Sequence, residues 1–138
     1  MAFVFNITHN SKHTQWGGAD GSADMIMLGV DWSAAAFKMG LAGQVGSTPL
    51  ITLINATAGT QGISATYDAA YVDPVTGETV GATIVRPQID EATFEALDWG
   101  DDTTASLVLA HDFLVTPTGQ QQFVWFDGLF TILPGVAD

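Results

Sequence analysis

Cysteine is absent from this sequence. No disulfide can staple the fold, and no thiolate can act as nucleophile or metal ligand. Basic side chains are nearly as scarce. Lys12, Lys38 and Arg86 stand against 15 Asp or Glu in 138 residues, a formal net charge of -12. Gripping a phosphate backbone or an anionic lipid surface takes several cations, so neither nucleic acid nor a membrane is an expected partner. No apolar run approaches the ~18 residues of a membrane-spanning helix. The stretch Met1-Ala2-Phe3-Val4-Phe5-Asn6-Ile7 carries no basic n-region, so no secretory leader is expected and synthesis is expected to end in the cytoplasm. What is present is apolar: 47% of residues, far too many for an acidic disordered tail. The length suits a single domain over 1–138, large enough to bury roughly two-thirds of its unfolded surface.

Alternation with a period of two dominates the chain and predicts strands. Phe3, Phe5 and Ile7 fall on one face of a first strand. Residues 9–24 are polar and Gly-rich and read as a loop; one so long is expected to be functional or ordered by a partner. Short strands follow at Met25–Leu28, at Phe37, Met39 and Leu41, at Leu50–Ile54 and at Gly62–Tyr67. Asp73-Pro74-Val75-Thr76-Gly77 is a turn flanked by strand residues, hence a hairpin, with its second arm predicted to stop before Pro87. Ile89–Leu97 predicts the one helix, with Asp90 as N-cap and Ile89 and Phe94 as a hydrophobic staple. The last third gives two long strands. One places Leu109, His111 and Phe113 on a common face. The other sets Phe123, Trp125 and Leu129 against Val124, Phe126, Phe130 and Ile132, with a bulge expected at Gly128. Seven to nine strands and one short helix near 90–97 predict an all-β fold, a mainly antiparallel β-sandwich or flattened barrel.

Chemistry-bearing residues are few. His9 and His13 are spaced i, i+4, yet Asn10-Ser11-Lys12 is a polar loop and no metalloprotease glutamate follows His9, so no metal is assigned. Asp98, Asp101 and Asp102 could offer oxygens to calcium, but their spacing is not that of a calcium loop and reads as a solvated acidic loop. His111 and Asp112 are neighbours in a strand and point to opposite faces, which excludes a direct dyad. Gly46-Ser47-Thr48 lacks both nucleophile-elbow and phosphate-loop spacing. Asp90, Glu91 and Glu95 suit the start and the solvated face of a helix. No catalytic set and no cofactor are expected. Of the four tryptophans, Trp125 reads as core. Trp16, Trp32 and Trp99 lie in or beside loops and, with Asp101 and Asp102, are the candidate interface residues. A carbohydrate-binding module would use Trp16 or Trp99 as a stacking platform, the only reading that calls for a glycan partner. A metal-dependent hydrolase built on His9, His13 and an Asp ranks last.

Several stretches together point further. They are Asp31-Trp32-Ser33 leading into Phe37-Lys38-Met39; Gly46-Ser47-Thr48-Pro49-Leu50-Ile51; the Gly62-Ile63 strand start; Thr83-Ile84-Val85-Arg86-Pro87-Gln88-Ile89-Asp90; Ala110-His111-Asp112-Phe113-Leu114-Val115-Thr116-Pro117-Thr118-Gly119; and the closing Gly128-Leu129-Phe130-Thr131-Ile132-Leu133-Pro134-Gly135-Val136. Across most of residues 30 to 136 the chain resembles small structural proteins of tailed bacteriophages, the β-rich modules of tail, baseplate or fibre-attachment regions; region 8–28 has no counterpart. The resemblance implies a non-enzymatic virion component, a tail or fibre adaptor present in multiple copies and contacting other phage structural proteins. A capsid decoration protein is the structural alternative. Loop 9–24 and the Trp32 and Trp99 regions are expected to carry the contacts.

Overall fold

A computed structural model describes residues 3–100 and 104–135. Ten strands and one short helix follow in the order β1 (Phe3–Val4), β2 (Ile7–His9), β3 (Trp16–Gly17), β4 (Met25–Leu28), β5 (Ala36–Ala42), β6 (Ile51–Ile54), β7 (Gly62–Asp68), β8 (Ala82–Ile89), α1 (Glu91–Glu95), β9 (Leu107–Thr116) and β10 (Phe123–Ile132). They form a six-stranded sheet, β1-β10-β9-β5-β6 with β2 also on β10, and a four-stranded sheet in which β8 is flanked by β7 on one side and by β3 and β4 on the other. The fold is all-β and sandwich-like, with no closed barrel. Pairing is antiparallel except for β1 and β2, which run parallel to β10. The strand count exceeds the predicted one because two ribbons are interrupted, β1/β2 along β10 and β3/β4 along β8. Among the described residues no helix is long and apolar enough to cross a membrane.

The period-two pattern did its work in the six-stranded sheet. Phe37, Met39 and Leu41 of β5, Ile51 and Leu53 of β6, and Leu109, Phe113 and Val115 of β9 all turn inward and are buried. The facing sheet contributes Trp16, Met25, Val85 and Ile89 to the same core, and Phe94 of α1 closes one end. Trp16 meets Phe130 edge-on at 5.0 Å, while Phe94 stacks on Phe130 at 6.2 Å and on His9 at 4.8 Å. Each fully buried Phe here contributes roughly 1.5–3 kcal/mol of transfer free energy, which makes this aromatic seam a main bond between the sheets.

Four local expectations are corrected. First, Phe3 and Phe5 do not share the burial of Ile7; they stay 70% and 45% exposed at the outer edge of the larger sheet. The ribbon breaks at Phe5 and Asn6, opposite Gly128 and Leu129, while keeping its register on β10. Second, β8 runs through Pro87 to Ile89. The Pro87 carbonyl accepts the Gly18 N–H at 3.0 Å, so its ring nitrogen faces the gap between β3 and β4, where the missing N–H costs no ladder bond. Third, the bulge of β10 lies at Trp125, between Val124 and Phe126, and not at Gly128. It turns Val124 outward with its partner Leu114 and sends Phe126 into the core.

Fourth, the helix spans Glu91–Glu95, shorter than the predicted 90–97. The Phe94 carbonyl takes both the Leu97 N–H, at 3.2 Å, and the Trp99 indole N–H, at 3.0 Å, which turns the chain away. Asp90 stands at the N-cap position without a side-chain cap bond. Its carboxylate instead accepts from Gln88 Nε2, and Gln61 Oε1 takes the Asp90 N–H and the Thr93 hydroxyl. Ile89 and Phe94, the expected staple pair, are both buried.

Candidate functional site

The 9–24 region is not a free loop. The Lys12 N–H donates to the Leu133 carbonyl and the Leu133 N–H to the His9 carbonyl, and β3 adds a rung to β8. Asp24 closes the region with a bidentate pair to Arg86, both bonds at 2.7 Å. Trp16 is 9% exposed and belongs to the core, so its ring offers no sugar platform. Trp99 is half-buried, with the Lys12 ammonium 4.9 Å from its ring centroid. Trp32 is half-buried and leans on Phe123 at 5.6 Å. Asp101 and Asp102, the remaining candidate interface residues, lie outside the described residues.

The histidines separate. His9 is buried, and its Nε2–H donates to the Thr14 carbonyl at 2.8 Å. His13 Nδ1 pairs instead with Glu95 Oε2 at 2.9 Å. His13, Glu91 and Glu95 place donor atoms within 4.8 Å of one another, a nitrogen and two carboxylates that could hold a divalent ion. The i, i+4 spacing of the two glutamates and the ion pair to His13 account for this cluster without one. Nothing in the sequence signals it, because His13 and Glu95 lie 82 residues apart.

His111 is 4% exposed, and its Nε2–H donates to the Phe5 carbonyl at 2.7 Å. Its Nδ1 has no partner. Directly across the ladder is Gly128, at φ +153°, where a Cβ would stand 2.6 Å from the Phe5 oxygen. The missing side chain is the slot through which the Phe5 carbonyl reaches the imidazole. Burial lowers the His9 pKa against the opposing pull of the Thr14 and Ser11 backbone bonds. It lowers that of His111 likewise, against the Phe5 carbonyl, Asp112 and Asp127. A folded-state pKa below the unfolded value of about 6.5 means a contribution fully present above pH ~6.5 and lost as the pH falls toward the folded value. The urea midpoint is therefore expected to drop between about pH 7 and about pH 5, and less so in a His9→Gln, His111→Gln double variant. A midpoint that is flat or rises on acidification contradicts these two environments.

The outward face of the six-stranded sheet leaves several large apolar side chains in water. Ile54 is 62% exposed, Leu129 49% and Val108 48%, and Ala36, Ala42 and Ala110 share the face. Its ionisable side chains on strand positions are Lys38, Asp112 and Asp127. Part of the acidity of the chain has a local cause in the turns. Asp20, Asp31, Asp68, Asp73 and Asp98 each accept the backbone N–H two residues on, closing turns between strands. On the sheet face, loop 43–49 and Val4 rim a cavity of about 520 Å³ floored by Gly40, Ala42 and Ala110 and holding Asp112 and Asp127. No family model matches the chain, and no curated protein matches it in sequence.

Proposed function

We propose that the chain is a non-catalytic structural subunit that assembles through the outward face of its six-stranded sheet. The observation that carries this reading is the set of large apolar side chains, Ile54, Val108 and Leu129, that the outward face of this sheet leaves exposed. A sheet face that leaves several large apolar side chains in water marks a contact surface. The resemblance to β-rich modules of tailed bacteriophages gives the setting: a virion, with the subunit as tail or fibre adaptor in several copies. The contacts move from the tryptophan-bearing loops to this sheet, because Trp16 is internal and Trp99 is capped by Lys12. The same facts weaken the glycan-binding alternative, which needs a bare ring.

Quantitative mass spectrometry of particles purified from cells carrying the gene tests the proposal. The expected result is the chain at a fixed stoichiometry to other virion proteins. A chain that stays in the soluble fraction and is missing from particles contradicts it.

A further inference from the structure

We infer that segment 3–6 is an acid-released latch: protonation of His111 detaches it from the edge of β10 while the rest of the sandwich stays folded. The inference does not depend on what the sheet face binds. The segment is held lightly. Phe3, Val4 and Phe5 are 70%, 76% and 45% exposed, so little apolar burial anchors them. What fixes the segment is polar. Phe3 and Val4 pair with Phe126 and Asp127, the Phe5 N–H donates to the Asp127 carbonyl at 2.7 Å, and the Leu129 N–H donates to Asn6 Oδ1 at 3.0 Å. His111 supplies the tie to β9, its Nε2–H reaching the Phe5 carbonyl over Gly128.

The closed form accommodates only a neutral ring. His111 lies between Leu41 and Gly128 in the register and edge-on to the Phe126 and Phe130 rings. With the Nε2–H spent on Phe5, Nδ1 is a bare lone pair, buried and without a partner. A second proton would go there and make a buried cation whose new N–H has no acceptor. The charged groups around the ring do not supply one. Asp112 and Asp127 favour the charged ring, but they lie on the outward face of the sheet, across the backbone from the imidazole. From the smaller sheet, Asp24 shares a hollow with Phe5 and is occupied by Arg86. β5 presents Leu41 at the facing position, segment 3–6 carries no ionisable side chain, and His9 of β2 pairs with Ile132 at the other end of the ribbon. Burial outweighs the Phe5 bond and the two aspartates and holds the His111 pKa low. Once the segment is released, water reaches the ring and its pKa returns toward about 6.5. Protons therefore favour the released form, and the closed form is lost as the pH falls below about 6.5. Release breaks few bonds and exposes little apolar surface, so it precedes global unfolding. It bares the backbone of β10 from Phe126 to Leu129, an unpaired edge to which another strand can add.

Amide hydrogen exchange of the full chain tests the latch, read by nuclear magnetic resonance at about pH 7.5 and about pH 5 and corrected for the intrinsic pH dependence of exchange. Protection of the Phe5 and Leu129 amides is expected to fall about tenfold or more on acidification, while the amides of β5, a strand paired on both sides, keep theirs. In His111→Gln, which keeps a donor but cannot titrate, the fall should vanish; in His9→Gln it should persist. If His111→Gln does not fold, the ring C–H signals of His111 in the parent chain decide. Their titration midpoint should coincide with the midpoint of the lost protection. Unchanged protection, or loss only together with β5, overturns the inference. So does a fall that survives in His111→Gln or vanishes in His9→Gln, or a ring midpoint that differs from that of the lost protection.

Discussion

Gly128→Ala is expected to destabilise the protein by about 2–4 kcal/mol, through strain and a lost buried hydrogen bond together. At φ +153° the backbone of residue 128 is one that side chains rarely adopt. The new Cβ would also meet the Phe5 carbonyl oxygen at 2.6 Å and Asn6 Oδ1 at 2.8 Å. Something must move, and the Phe5 carbonyl is backbone. Its displacement leaves the buried His111 Nε2–H without an acceptor and loosens the Asn6 bond to the Leu129 N–H. The edge ribbon β1/β2 then loses its hold on β10. Gly119→Ala is the control, since Gly119 also has a positive φ but no atom within 4 Å of a new Cβ. It should cost only about 1 kcal/mol, the strain alone. Urea denaturation of both variants gives the difference. If Gly128→Ala costs no more than Gly119→Ala, the glycine slot does not anchor this edge.

Leu129→Glu is expected to leave folding within about 0.5 kcal/mol of the parent, because the side chain is 49% exposed on the outer face. Its effect on assembly should be much larger. A carboxylate buried without a partner costs about 3–5 kcal/mol, which converts to a loss of incorporation of about two orders of magnitude or more. The site already holds Asp112 and Asp127, so a third negative charge adds repulsion to desolvation. Val75→Glu is the matched control: Val75 is 91% exposed in the 73–77 turn, far from the sheet face in the chain's topology. Competition between variant and parent during particle assembly, read by isotope-labelled peptides, measures the ratio. Equal incorporation of Leu129→Glu and parent removes the sheet face from the interface.

Strands with an uninterrupted two-residue alternation were legible from sequence, because burial on one face is itself a local pattern. β5, β6 and the inner face of β9 are of this kind. The features that failed depend on partners remote in sequence. Pro87 sits inside a strand because of where β3 and β4 part. The Trp125 bulge is visible only against β9. Trp16 looked like a loop residue because its strand is two residues long and two glycines follow it. The candidate interface shifted for the same reason. Alternation did place Asp112 outward, but only the register brings it opposite Asp127, and only loop 43–49 makes a cavity of the row. The scarcity of lysine and arginine was plain from the start. Its consequence, Asp112 and Asp127 opposed across the ladder with no ion pair to either among the described residues, needed the fold.

A three-dimensional reconstruction of the particle that contains the chain tests the account most directly. The account predicts the outward face of the six-stranded sheet covered by a neighbouring subunit, with Val108 and Leu129 inside the contact. A subunit that docks by any other surface, with this sheet open to solvent, contradicts it.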